Sequence, residues 1–252
     1  MRSPQDTTTG PQAVSGFRTA LLAALRERSD PVRAEQQRRY MKSDIPFFGV
    51  AVPEVRRITR ATSRTYRFAS ADAWQAAILS IWRSAERREE LYSAVELLND
   101  PEYWDWLSPD RINLIRELVV TGAWWDLVDG IASHATGRML AAYRTETGTI
   151  LRSWSVEEDI WLRRTAILAQ LRFKTDTDRT LLVDVIEPSI ARQEFFLRKA
   201  IGWALREYSK VEPEFVLDYI ARNADRLSPL SKREGLKVLA KQGRVNGAIG
   251  RD

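Results

Sequence analysis

The run TGAWWDLVD, residues 121 to 129, sets a carboxylate and a large aromatic at a spacing that could do chemistry. On a helix beginning near Ala123, Trp125 and Asp129 are four residues apart and share a face, while Trp124 and Val128 turn to another side. A carboxylate and an indole face presented together attract positive charge. For an isolated run of this kind the commoner reading is a core Trp124, a first-turn acid at Asp126 and an ion-paired or surface Asp129. Trp203, taken alone, reads as a core residue more readily than as a cleft residue. Composition narrows the chemistry further. The chain has no cysteine and one histidine, His134, so cysteine nucleophiles, iron–sulfur clusters and the common zinc sites cannot be built. Catalysis would have to use carboxylates, Lys, Arg, Tyr, Ser or Thr.

A second pattern is basic. Trp161-Leu162-Arg163-Arg164 and Phe196-Leu197-Arg198-Lys199 stand 35 residues apart, and a looser copy, Leu230-Ser231-Lys232-Arg233, follows 34 residues later. Each basic pair falls near the start of an expected helix, where the macrodipole disfavours cations by roughly 0.3–1 kcal/mol. Repetition of a disfavoured residue has two readings. Helix N-termini with free N–H groups and adjacent cations form phosphate sites, and a regular stack of them would make a track for a nucleic-acid backbone. Ordinary solvated charges on amphipathic helices would give the same pattern. Residues 161–252 hold 18 basic against 12 acidic side chains, whereas residues 1–160 hold 21 against 22. The excess of positive charge therefore sits in the C-terminal third.

The elements that must position these residues read as helices throughout. Gly and Pro number 12 and 10 in 252 residues, and alternating strand-like runs are scarce. Met1 to Gly16 is polar and breaker-rich, the pattern of a flexible leader. Helical periodicity starts at Phe17, with Leu21, Leu22 and Leu25 on the same face. Later segments include Trp124 to Ser133, Gly137 to Thr145, Glu157 to Arg172, Glu194 to Ser209 and Ser231 to Lys241. Short connections and a period near 35 residues predict an all-α, HEAT-like or armadillo-like array over residues 17–252 as one domain. No stretch has the length and apolarity of a membrane span, and no secretory signal is evident, so the expected location is cytoplasmic.

The segments RYMKSDIPFFGV (39–50), WWDLVD (124–129), IWLRRTAIL (160–168), KAIGWALREYSK (199–210) and LSKREGLK (230–237) resemble the AlkD-type DNA alkylation repair glycosylases, bacterial enzymes of HEAT-like repeats. They occur in family order over nearly the whole chain after the leader. The resemblance implies a curved solenoid of antiparallel helical repeats with a basic concave surface for double-stranded DNA. It implies hydrolysis of the N-glycosidic bond of N3- or N7-alkylated purines by a monomer, without metal or cofactor and without flipping the base, on DNA of the bacterial nucleoid. Carried onto matching positions, Trp125, Asp129 and Trp203 surround the lesion's deoxyribose, Arg164 lies beside it near the backbone, and Tyr40 contributes from the N-terminal part. Arg163, Arg198, Lys199, Lys232 and Arg233 are then the candidate backbone contacts.

The chemistry fits that composition. A purine alkylated at N3 or N7 is cationic and leaves as a neutral base, so the general acid usual in glycoside hydrolysis is unnecessary. An ionised Asp129 would stabilise an oxocarbenium-like sugar and place a water, an effect of about 3–4 kcal/mol in comparable preorganised sites. Each tryptophan would add roughly 0.5–2 kcal/mol through its π face. Arg164 cannot act as a base; its planar fork suits a phosphate, and its charge favours ionised Asp129. Uracil and hypoxanthine, which need leaving-group activation, should not be released, and activity should be flat from about pH 6 to 9. The rival reading is a catalytically silent helical-repeat module that binds DNA, RNA or protein; four intact candidate residues argue against it.

Overall fold

Helix α1 (Pro11–Glu27) begins earlier than periodicity indicated, because Ala13 joins Phe17, Leu21 and Leu25 in the core. The computed structural model describes residues 11–245. The expected leader is thus corrected at its end: 11–16 are helical, and residues 1–10 lie outside the described residues. Among the described residues the helices group into two compact units that divide between Trp106 and Leu107. Among the described residues there is no strand, in agreement with the all-α reading.

In the first unit α1 is followed by α2 (Pro31–Met41), α3 (Val52–Thr65), α4 (Ala71–Arg83) and α5 (Arg88–Leu98). Asp30 starts α2 by accepting from the N–H groups of Val32 and Arg33 at 3.1 and 3.0 Å. Helix α5 packs against both α3 and α4 and is buried along its whole length. It therefore carries charges into the interior, and each needs a partner. Glu89 accepts from three successive backbone N–H groups, those of Phe48, Gly49 and Val50, at 2.9, 2.8 and 3.0 Å. Glu96 receives both arms of Arg56 at 2.8 and 2.9 Å. Gly49 is required at the turn, with φ of 89° and the Asp30 carbonyl 2.0 Å from where a Cβ would stand.

The second unit contains α6 (Ile112–Gly122), α7 (Trp125–Gly130), α8 (Gly137–Ala142), α9 (Arg144–Trp154), α10 (Ile160–Leu168), α11 (Arg179–Ile186), α12 (Phe195–Tyr208), α13 (Pro213–Arg222) and α14 (Pro229–Lys241). Helices α10, α12 and α14 begin at residues 160, 195 and 229, the period seen in the basic pairs, and pack side by side in that order. This is a helical-repeat array. The helix expected over Glu157 to Arg172 is shorter at both ends, and α14 starts two residues before Ser231, at Pro229, whose fixed φ suits a first turn. Between α7 and α8 the chain does not break: Ile131–Thr136 forms a π-helical turn that joins them. The helix expected from Gly137 to Thr145 ends at Ala142, and Tyr143 separates it from α9.

Candidate functional site

Asp129 owes its position to the end of the preceding helix. Ala123 closes α6 in the left-handed region, with φ of 33°, and its N–H donates to the Val119 carbonyl. Trp124 is then extended and forms the N-cap of α7, so the helix starts at Trp125 and not at Ala123 as the sequence suggested. Leu127, Val128, Ile131 and Ala132 are fully buried, at 0% exposure. That stripe turns Trp125 and Asp129 together to the half-buried edge of the helix.

Arg164 reaches this edge from α10. Its Nε and Nη2 donate to the two carboxylate oxygens of Asp129 at 2.7 and 2.8 Å, a bidentate pair, and its Nη1 donates to the Phe196 carbonyl at 2.5 Å. The arginine side chain is 1% exposed and the aspartate side chain 19%. The expected phosphate role of Arg164 is therefore corrected: its fork is already filled by a carboxylate and a carbonyl. What it does is fix the carboxylate's plane while leaving part of Asp129 open. Burial pushes the Asp129 carboxyl above the ordinary aspartate range; hydrogen bonding and charge from Arg164 oppose the rise, and Asp126 adds to it.

Trp203 lies on the half-buried stripe of α12 with Phe196, Lys199 and Arg206. The Arg164 guanidinium is 5.5 Å from its ring centroid, the Lys199 ammonium 5.9 Å and the Arg206 guanidinium 5.7 Å. Behind the site, Phe196 packs edge-on against Trp124 at 5.4 Å and lies 4.9 Å from Trp161. Thus α7, α10 and α12 bring Asp129, Arg164 and Trp203 together, with Trp125 one turn before Asp129.

The basic pairs divide. Arg163 is 7% exposed and donates to the carbonyls of Glu157, Val156 and Pro188 and to the Ser189 hydroxyl. It ties loops together and cannot meet a phosphate, a correction that follows from α10 being buried on all sides from Trp161 to Leu168. Lys199 is paired with Glu234 at 2.7 Å, Lys232 donates to the Ala224 carbonyl at 3.1 Å, Arg198 is half-buried, and Arg233 is exposed. At α10 and α14 some of the helix-terminal N–H groups expected to meet phosphate are taken by the chain itself. Asp159 accepts from the Trp161 and Leu162 N–H groups, and Ser228 from that of Ser231. Tyr40, 77% exposed, belongs to the first unit, at the end of α2.

Residues 21–239 match the family model described as DNA alkylation repair enzyme. A solved structure titled "Predicted DNA alkylation repair enzyme from Enterococcus faecalis" is 31% identical, with a TM-score of 0.74, over 84% of this chain and 97% of the other. No curated protein is significantly similar. The chain belongs to the DNA alkylation repair enzyme family. Two contributors to this candidate site escaped sequence reasoning. Phe196 enters through its carbonyl, which no side-chain pattern reports. Glu234 enters through Lys199 and Arg206, and the repeat period contained its signal: it stands 35 residues after Lys199, as Arg164 stands 35 after Asp129. In the described residues no helix is long and apolar enough to cross a membrane.

Proposed function

We propose that this repair enzyme is a DNA glycosylase that hydrolyses the N-glycosidic bond of cationic N3- and N7-alkylated purines in duplex DNA, without flipping the base. The observation that carries the reading is the partly open Asp129 carboxylate, held by both arms of a buried Arg164 on the face that Trp125 shares. As the glycosidic bond breaks, its electron pair leaves with the base, which departs neutral because alkylation had made it cationic. Positive charge then develops on the sugar. Ionised Asp129 stabilises that charge and orients the water that attacks the anomeric carbon, whose released proton passes to Asp129 and on to solvent, while the indoles of Trp125 and Trp203 present π faces to the sugar. No donor to the leaving base is required. Arg164 supplies rigidity, so the carboxylate needs no reorganisation when charge appears. In the second unit, backbone contact falls to exposed cations such as Arg233.

The test is incubation with duplex DNA carrying 7-methylguanine or 3-methyladenine, scored for free base. Release of these bases, with uracil and hypoxanthine retained, is the expected result. Tight DNA binding with no release of any base would support a silent binding module instead, and efficient uracil excision would reveal a proton donor that this mechanism lacks.

A further inference from the structure

Trp203 is surrounded by cations whose charge must be managed if a further positive charge is to develop nearby. Arg164 is neutralised by Asp129. Lys199 and Arg206 lie one turn to either side of Trp203 on α12, and both reach the same carboxylate: Glu234 Oε1 accepts from Lys199 Nζ at 2.7 Å and Oε2 from Arg206 Nη1 at 2.9 Å. Glu234 comes from α14, the next helix of the array, and is 8% exposed. Burial works against its ionisation, and the Lys199 hydrogen bond with the charges of Lys199, Lys237 and Arg206 outweighs that, holding its carboxyl below the ordinary glutamate range. The approach of the two helices is made for this contact. A Cβ on Gly202, the residue before Trp203, would stand 2.5 Å from the Glu234 Cβ and 3.1 Å from the Ser231 carbonyl, so no larger residue fits there without moving α14. Ser231 adds a bond from its hydroxyl to the Arg198 carbonyl at 2.9 Å.

We infer that Glu234 is a positioning residue for the repair reaction: from the C-terminal helix it clamps Lys199 and Arg206 against Trp203, fixing the indole and offsetting their charge. The inference rests on the proposed glycosylase reading. It assigns the last repeat a part in the site in addition to its part in the core, although Glu234 touches no reacting atom.

The experiment compares single-turnover base release and DNA affinity in the wild-type chain and Glu234→Gln, a substitution of nearly equal shape. The expected outcome is a rate lower by about ten- to a hundredfold, the scale of a slight misplacement of a site group. DNA affinity should be unchanged or tighter, because two cations are released from their carboxylate. Removing Lys199 and Arg206 by substitution to Met in the same background should recover part of the rate, since it removes the unopposed charge. An unchanged rate, or rate and affinity falling together, overturns the inference. Should Glu234→Gln not fold, Glu234→Asp, which keeps the negative charge and shortens its reach to Lys199 and Arg206, carries the same comparison of rate with affinity. If the wild-type chain itself releases no base, the glycosylase reading fails, which is distinct from a wild type that works and a variant that equals it.

Discussion

Glu89 in the first unit and Asp129 in the second are both carboxylates drawn out of water, and they are satisfied in opposite ways. Glu89 is 0% exposed and takes three backbone N–H groups from one loop. Its oxygens are consumed by the fold, and it holds the 47–50 loop against α5. Asp129 is bound by a single side chain, in one plane, and keeps 19% of its surface open. A carboxylate saturated by backbone donors is a staple. One that is oriented by a buried arginine and left partly open can still meet a substrate. Burial alone therefore does not separate structural from functional charge; the number and direction of the remaining lone pairs do.

The sharpest way to break this contrast is to remove one charge from each. Asp129→Asn should lower single-turnover base release by about two decades or more while DNA binding is kept. Glu89→Gln should leave the rate of the folded enzyme unchanged and lower unfolding free energy by about 3 kcal/mol, because an amide cannot accept from all three N–H groups. Measuring both variants by base release and by denaturant unfolding decides the matter; a catalytic defect in Glu89→Gln without loss of stability would erase the distinction.

A smaller effect sharpens the account of Asp129. Its carboxyl is raised above the ordinary aspartate range, chiefly by burial. Protonation therefore sets in at higher pH than for an exposed aspartate, and the working form is the ionised one. Base release should fall as pH drops through that raised value and stay level on the alkaline side, with no second limb from a general acid. A single-turnover pH profile with its acid limb at the usual aspartate position would mean that Arg164 cancels the burial effect.

The smallest expected effect separates two arginines that look alike in sequence. Arg233 is exposed, whereas Arg163 is 7% exposed and bonded to three carbonyls. Arg233→Gln should reduce the salt dependence of DNA binding by about one unit of log–log slope. Arg163→Gln should change stability and leave the slope alone. Equal slopes for wild type and Arg233→Gln would place the backbone contacts elsewhere.

Helical class, the 35-residue period and the facing of Trp125 and Asp129 were all legible in the residues, because they depend on periodicities of 3.6 and about 35 that a linear chain displays directly. The joint match of WWDLVD, IWLRRTAIL and KAIGWALREYSK led to the right family for the same reason: motif and order are one-dimensional properties. Which member of a basic pair is buried was not legible. Arg163 and Arg164 are adjacent and chemically identical, yet one ties loops and the other holds Asp129, since α10 is enclosed on every side. Nor could the pattern of caps, Asp159 and Ser228, be weighed against a phosphate without knowing where each helix begins. The Phe196 carbonyl and the Glu234 clamp on Trp203 were decided only by how α10, α12 and α14 pack. A hydrogen bond depends on separation and direction within a few tenths of an ångström, and those arise only once helices distant in sequence are pressed together.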